Sequence, residues 1–239
     1  KQKDIYDYLD FIDPDIIINL IAITSIEYSE KNPSKAFFVN ALIPKYISNW
    51  VSLHKDKHMI QISTDHVYDN KSKSKESQIN LKNVYATTKF LGDLNCSKKN
   101  TTILRTNFFD LTSDYSKPSL CDWIYEAVLN KKYVNLYEDV YFNPLHISTL
   151  CNYLEKIIRK PLHGAFNIGA KDSISKYEFG YRIIKKFNLN TNYIIKSRYT
   201  NNNNIYRPLN MRTNVSKFFK TYKPMNIPII YKEIDKLKI

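Results

Sequence analysis

The segment Ile62-Ser63-Thr64-Asp65 is followed about twenty residues later by Asn83-Val84-Tyr85-Ala86-Thr87-Thr88-Lys89. Tyr85 and Lys89 stand at i and i+4, so on a helix they share one face and the ammonium lies beside the phenol. A nearby positive charge favours phenolate, which draws a group that ordinarily titrates near ~10 toward working pH and makes it a proton donor. His58 to Thr64 reads as a strand, which puts Ser63 and Thr64 at its carboxyl end, where open α/β sheets place their ligands. Those hydroxyls are expected to polarise a carbonyl oxygen while Tyr85 gives it a proton. In a chain with 19 tyrosines a lone Tyr-x-x-x-Lys is a weak signal. The strand-end Ser-Thr-Asp and the long frame from Asn83 to Asp93 make it a specific one.

The elements that must position these residues alternate along the chain. Asp4 to Ile12 reads as helix, Asp15 to Ala22 as strand, and Pro33 to Leu53 as a helix kinked at Pro44. Strand Met59 to Thr64, loop Asp69 to Lys82, helix Asn83 to Lys98 and strand Thr102 to Asn107 follow. Such alternation is the signature of an α/β fold with a Rossmann-like doubly wound parallel sheet. Beyond Phe109 the pattern loosens. Helices are expected at Asp122 to Asn130, Ile147 to Arg159 and Lys176 to Phe187, strands at Tyr133 to Tyr137 and Gly164 to Gly169, and a polar loop at Asn201 to Asn204.

These motifs resemble the extended short-chain dehydrogenase/reductases, in particular the dTDP-4-dehydrorhamnose reductase group of sugar-nucleotide reductases. The likeness runs in order through Asp13-Pro-Asp-Ile-Ile-Ile-Asn19, Val39-Asn40-Ala41, Arg105-Thr106-Asn107-Phe108, Asn143-Pro144-Leu145-His146-Ile147, Phe166-Asn167-Ile168-Gly169 and Arg207-Pro208-Leu209-Asn210-Met211-Arg212. It implies reduction of the C4 ketone of a nucleotide-linked 4-keto-6-deoxysugar by NADPH or NADH. Thr64, Tyr85, Lys89 and Ser63 would be catalytic. Asn19, Ala22, Asn40, Ser63, Tyr85, Lys89 and Asn107 would line the cofactor, Asn40 through a water to Lys89. Thr24, Asp65, His66, Phe108, Arg207 and Arg212 would face the substrate. The resemblance further implies a cofactor domain over 1–110, continued by about 140–170. A smaller substrate-binding region would occupy 111–139 and 171–239.

Departures from the family pattern narrow these expectations. Ala86 stands for a usual glycine, Asp93 for glutamate, Phe108 for tryptophan and His66 for tyrosine; the last two bear on the sugar. Dehydration is disfavoured, because it calls for Asp-Glu after the strand-end threonine and here Asp65 is followed by His66. Epimerisation of the fucose type would call for cysteine where Asp65 stands. The chain has only four glycines and no G-x-x-G-x-x-G, so the pyrophosphate-binding first βαβ unit is absent. A longer reductase, truncated at its amino end, is expected. A regulatory or binding subunit of the same fold, like the methionine adenosyltransferase beta subunit, is the alternative.

Composition bounds the remaining classes. A chain of 239 residues buries a sizeable core, and its longest apolar run, Ile16 to Ile23, is too short to span a bilayer. Three distant cysteines without Cys-x-x-Cys argue against a disulfide framework and for a reducing, cytoplasmic setting. His54 and His58 stand four apart without a Glu after His54, so no metal site is expected. The net charge of +13 comes from lysines scattered end to end, which points to background composition rather than a nucleic-acid surface. A nucleotide-sugar substrate and a homodimer are the expected partners.

Overall fold

The central sheet forms where β-branched runs are buried on both faces. The computed structural model describes residues 1–96, 99–112, 118–200, 205–223 and 225–238. In its first half run α1 (Gln2–Ile12), β1 (Ile16–Asn19), α2 (Ile26–Lys31), α3 (Pro33–Phe37), α4 (Ile43–Leu53), β2 (His58–Thr64), α5 (Val84–Asn95) and β3 (Thr101–Thr106). Then come β4 (Phe108–Phe109), α6 (Leu120–Leu129), β5 (Val134–Tyr137), β6 (Tyr141–Phe142), β7 (Leu145–His146) and α7 (Ile147–Arg159). The chain closes with β8 (Gly164–Asn167), β9 (Ile174–Ser175), α8 (Lys176–Lys186), β10 (Ile194–Ser197), α9 (Ser216–Thr221) and α10 (Ile230–Ile234). The sheet has the order β1-β2-β3-β8, all parallel, with Ile18 opposite Ile60 and Ile62 opposite Leu104. This is the expected α/β parallel sheet.

Alternation along the strands loads both faces. Ile60, Ile62, Leu104 and Phe166 pack against Tyr153 and Ile157 of α7 and against Phe218 and Phe219 of α9. Met59 and Ile103 pack the other way, against Trp50 and Val51 of α4 and Leu9 of α1. Strands buried on both faces are what a parallel sheet requires. Placing α9 on the sheet differs from the sequence reading, which put residues 171–239 with the substrate-binding elements. A separate apolar cluster joins Ile124 and Val128 of α6 to Val134 and Leu136 of β5, Ile184 of α8 and Ile194 of β10.

Several boundaries shift for local reasons. The strand expected over Asp15 to Ala22 ends at Asn19, whose side-chain oxygen accepts from the Ile21 N–H at 3.2 Å and turns the chain. The helix expected over Pro33 to Leu53 bends by a π-turn at Phe38–Leu42 rather than at Pro44 itself. Pro44 has no N–H for the carbonyl four residues back, that of Asn40, so the irregularity falls just upstream. His54 and His58 do not share a helix: α4 stops at Leu53 and β2 begins at His58. The polar run Asn201 to Asn204 lies outside the described residues.

Candidate active site

Helix α5, which carries Tyr85 and Lys89, is started by two side chains. The Asn83 Oδ1 accepts from Ala86 N–H at 2.8 Å, and the Glu30 carboxylate accepts from Val84 N–H at 2.8 Å. One turn in, Tyr85 is buried with its phenol beside the Thr64 hydroxyl, and Lys89 is buried a turn further on. The Lys89 ammonium donates to the Ile62 carbonyl at 2.8 Å, which ties α5 to the end of β2. Ser63 does not reach the phenol. Neighbouring strand residues point to opposite faces, and its hydroxyl is buried without a protein partner among the described residues.

Electrostatics correct one expectation. The Tyr85 phenol is pushed up to about 12, chiefly by burial, with the nearby Asp65 and Asp93 adding and the Thr64 hydroxyl opposing. Lys89 is not among these causes, so the lysine does not draw the phenol toward neutrality here. Burial instead lowers the Lys89 ammonium, against the pull of Asp93. The Asp65 carboxyl, fully enclosed, is raised by burial, while Lys176 and the Asn107 amide, whose nitrogen donates at 3.1 and 3.3 Å, pull it down. His66 is driven to about 3 by burial and by Lys176. Its neutral ring meets the Tyr85 ring edge-on, 5.5 Å between centroids.

His66 is also the wall shared with a cavity of about 490 Å³. Apolar and aromatic side chains including Trp123, Leu136, Tyr199 and Met211 line it, together with Lys176 and Arg207. Lys176 escaped the sequence reading, which saw only the first residue of a helix. Arg207 reaches the cavity, where it pairs with Glu27. Arg212, expected at the substrate, does not line it. Its guanidinium donates to the Asn210 side chain at 2.7 Å and the Lys71 carbonyl at 2.9 Å, fastening two loops. Thr24 is exposed and Ser25, not Thr24, caps α2. Phe108 is 43% exposed on β4, and Ala22 is half-buried after β1.

Other expected cofactor contacts are spent within the protein. The Asn19 amide donates to Gln61 at 2.7 Å. Asn40 accepts from the Ile23 N–H at 2.8 Å and donates to the Ile23 carbonyl and to Thr88, so it clamps the loop after β1 to α5 rather than reaching Lys89. Arg105 and Asp93 pair at 2.8 Å in the interior, and Arg105 continues to the Tyr68 hydroxyl and so to Asn167. The motif residues Asp93, Arg105 and Asn167 therefore form one buried network that fixes β3 and β8 beside α5. What remains for a nicotinamide cofactor is the unpartnered Ser63 hydroxyl, the Tyr85 phenol and the two ammonium hydrogens of Lys89 not used on Ile62. That set fits a nicotinamide and its ribose.

Residues 1–225 match the family described as RmlD substrate binding domain. The chain belongs to that family. Among similar proteins, the RmlD-type chain is 25% identical over 183 residues to the spore coat polysaccharide biosynthesis protein SpsK of Bacillus subtilis, covering 74% of this chain and 63% of that one. It is 24% identical over 197 residues to dTDP-4-dehydrorhamnose reductase of Aggregatibacter actinomycetemcomitans, covering 76% and 65%. It thus spans just under two thirds of the length of either relative. The RmlD-type fold overlays on dTDP-4-dehydrorhamnose reductase of Bacillus anthracis in complex with NADP with a TM-score of 0.89, at 18% identity over 99% of this chain and 83% of that one. The reductase-like structure from Sulfolobus tokodaii gives 0.85, at 23% identity over 98% and 82%.

Proposed function

We propose that this chain carries the substrate pocket and the acid–base machinery of a reductase acting on the C4 ketone of a nucleotide-linked 4-keto-6-deoxysugar. The supporting observation is the meeting of the Thr64 hydroxyl, the Tyr85 phenol and the Lys89 ammonium at the end of β2, joined through His66 to a cavity that carries Arg207. An arginine on a largely apolar wall suits a diphosphate, and the two curated relatives are a polysaccharide-biosynthesis protein and a dTDP-4-dehydrorhamnose reductase.

A reduced nicotinamide, NADPH or NADH, supplies the hydride when bound. The Thr64 hydroxyl donates to the ketone oxygen, and Tyr85 hands it a proton as it becomes an alcohol. A phenol raised to about 12 is protonated at neutral pH, which is the state a proton donor needs. Lys89 is assigned to the ribose and to holding α5 against Ile62, and Ser63 to the nicotinamide side. The exposed Phe37, Phe38 and Leu94 would give a homodimer apolar surface to bury, and sedimentation at micromolar protein tests that assembly.

NADPH oxidation dependent on dTDP-4-dehydrorhamnose, measured on the gene product that carries this chain, tests the activity. Tyr85→Phe should lower turnover by at least ~10²-fold, the usual scale for removing a general acid. Turnover near that of the unmodified enzyme would sink the mechanism.

A further inference from the structure

Beyond His66 the cavity holds a cation that the proton transfer leaves unused. Lys176 opens α8, whose N-terminus is capped by Ser175. Its ammonium lies 3.4 Å from the centroid of the Phe142 ring, and among the described residues nothing hydrogen-bonds to it. A lysine in the first turn of a helix sits at the positive end of the backbone dipole, which disfavours its charge.

The surroundings hold that charge at the wall of the pocket. Asp65 lies behind Lys176, outside the cavity lining, and the two shift each other in opposite directions without closing an ion pair. Phe142 shields one side of the ammonium by a cation–π contact. The remaining donors have only the cavity to face. Asp65 directly follows Thr64, so this end of the cavity adjoins the reacting carbon, whereas Arg207, 44% exposed by its side chain, marks the outer end. A diphosphate belongs at the outer end and a sugar ring at the inner one.

Resting on the nucleotide-sugar reading above, we propose that Lys176 is a sugar-recognition residue, whose ammonium donates to a hydroxyl or ring oxygen of the hexose and so discriminates the glycosyl group from the nucleotide. An apolar group in the same place would shut water from the ammonium without giving it an acceptor, which costs binding. Lys176 thereby selects an oxygen-bearing substituent on the side of the sugar ring that faces the ammonium.

The test compares binding of dTDP and of dTDP-rhamnose by calorimetry to the gene product that carries this chain, unmodified and with Lys176→Met or Lys176→Arg. The unmodified chain should bind dTDP-rhamnose more tightly than dTDP. Lys176→Met should weaken dTDP-rhamnose about 10- to 100-fold, the scale of a lost charged hydrogen bond, and leave dTDP unchanged within a few-fold. Retained dTDP binding also reports that the variant is folded. Lys176→Arg, which keeps charge and donors, should recover most of the preference for the sugar. Equal losses for both ligands would put Lys176 at the nucleotide and overturn the assignment, as would an undiminished sugar preference in Lys176→Met. An unmodified chain that binds neither ligand would instead remove the nucleotide-sugar reading itself.

Discussion

At the scale of single residues, the site couples neighbours whose titrations oppose one another. Asp65 is raised above its ordinary 3.8 by burial, so above pH 3.8 the unfolded carboxyl has lost a proton that the folded one keeps. Its contribution is present below pH 3.8 and is lost as pH rises through the folded value. His66 is lowered from 6.5 to about 3. There the unfolded imidazole binds a proton that the folded one refuses, and its contribution is present above pH 6.5 and is lost as pH falls toward 3. Between 3.8 and 6.5 the two slopes have opposite sign and largely cancel. Asp65→Asn keeps an acceptor for the Asn107 amide and removes one slope, so urea melts across that window should show stability rising with pH more steeply than in the unmodified protein. The same pH dependence in both would show that Asp65 is not held protonated by its surroundings. Burial and Lys176 keep a neutral His66 ring against the Tyr85 phenol at neutral pH.

At the scale of elements, helix α5 is held by a device made of Pro44, Asn40 and Gly92. Pro44 denies the Asn40 carbonyl its helical donor, the chain relaxes into the π-turn, and the freed carbonyl lies against Gly92 of α5. A Cβ at Gly92 would stand 2.2 Å from that oxygen, which is backbone and cannot swing aside. Gly92→Ala should therefore push α5 outward, destabilise the fold by about 1–3 kcal/mol in denaturant titrations, and displace Tyr85 and Lys89 with it. A melting curve unchanged by that substitution would mean α5 is not packed so closely. The sequence made some of this architecture legible and hid the rest. Helix α7 emerges with its bounds intact because its apolar period is clean, and α5 is announced by Asn83. The π-turn was hidden, because a proline reads as a kink at its own position and the gap it leaves is felt four residues earlier. The strand β10 was hidden as well, since its pairing with β5 is a contact across sixty residues that no local pattern encodes. At the site, Tyr85, Lys89 and Thr64 were legible from spacing. Arg212 and Asn40 were misread, because an alphabet of residue types does not say whether a polar group faces a ligand or a neighbouring loop. Lys176 was invisible, since only the fold turns a helix's first residue into a pocket wall.

At the scale of the whole molecule, the chain presents half of what a dinucleotide needs. In the proposed reading the nicotinamide side is served by Ser63, Tyr85 and Lys89. A pyrophosphate is normally held by backbone N–H groups of a glycine-rich loop at a helix N-terminus. Each of the chain's four glycines is committed elsewhere. Gly92 admits the Asn40 carbonyl, Gly169 lies against Asn143, Gly180 leaves room for Leu136, and Gly164 takes a φ of 107° at the start of β8. No pair of them stands in one loop before a helix, so no glycine-built cradle of this kind is present among the described residues. The surface lysines that give the net charge of +13 attract a dinucleotide without orienting it, and that attraction is screened by salt. Titration of NADPH by its nicotinamide fluorescence, at physiological ionic strength, should thus show weak binding or none for the 239-residue chain by itself. Lowering the salt should strengthen whatever binding there is, as expected of diffuse charge. Micromolar affinity that persists at physiological salt would require a phosphate site built from residues other than glycines, and would overturn the view that the nicotinamide half is all this chain provides.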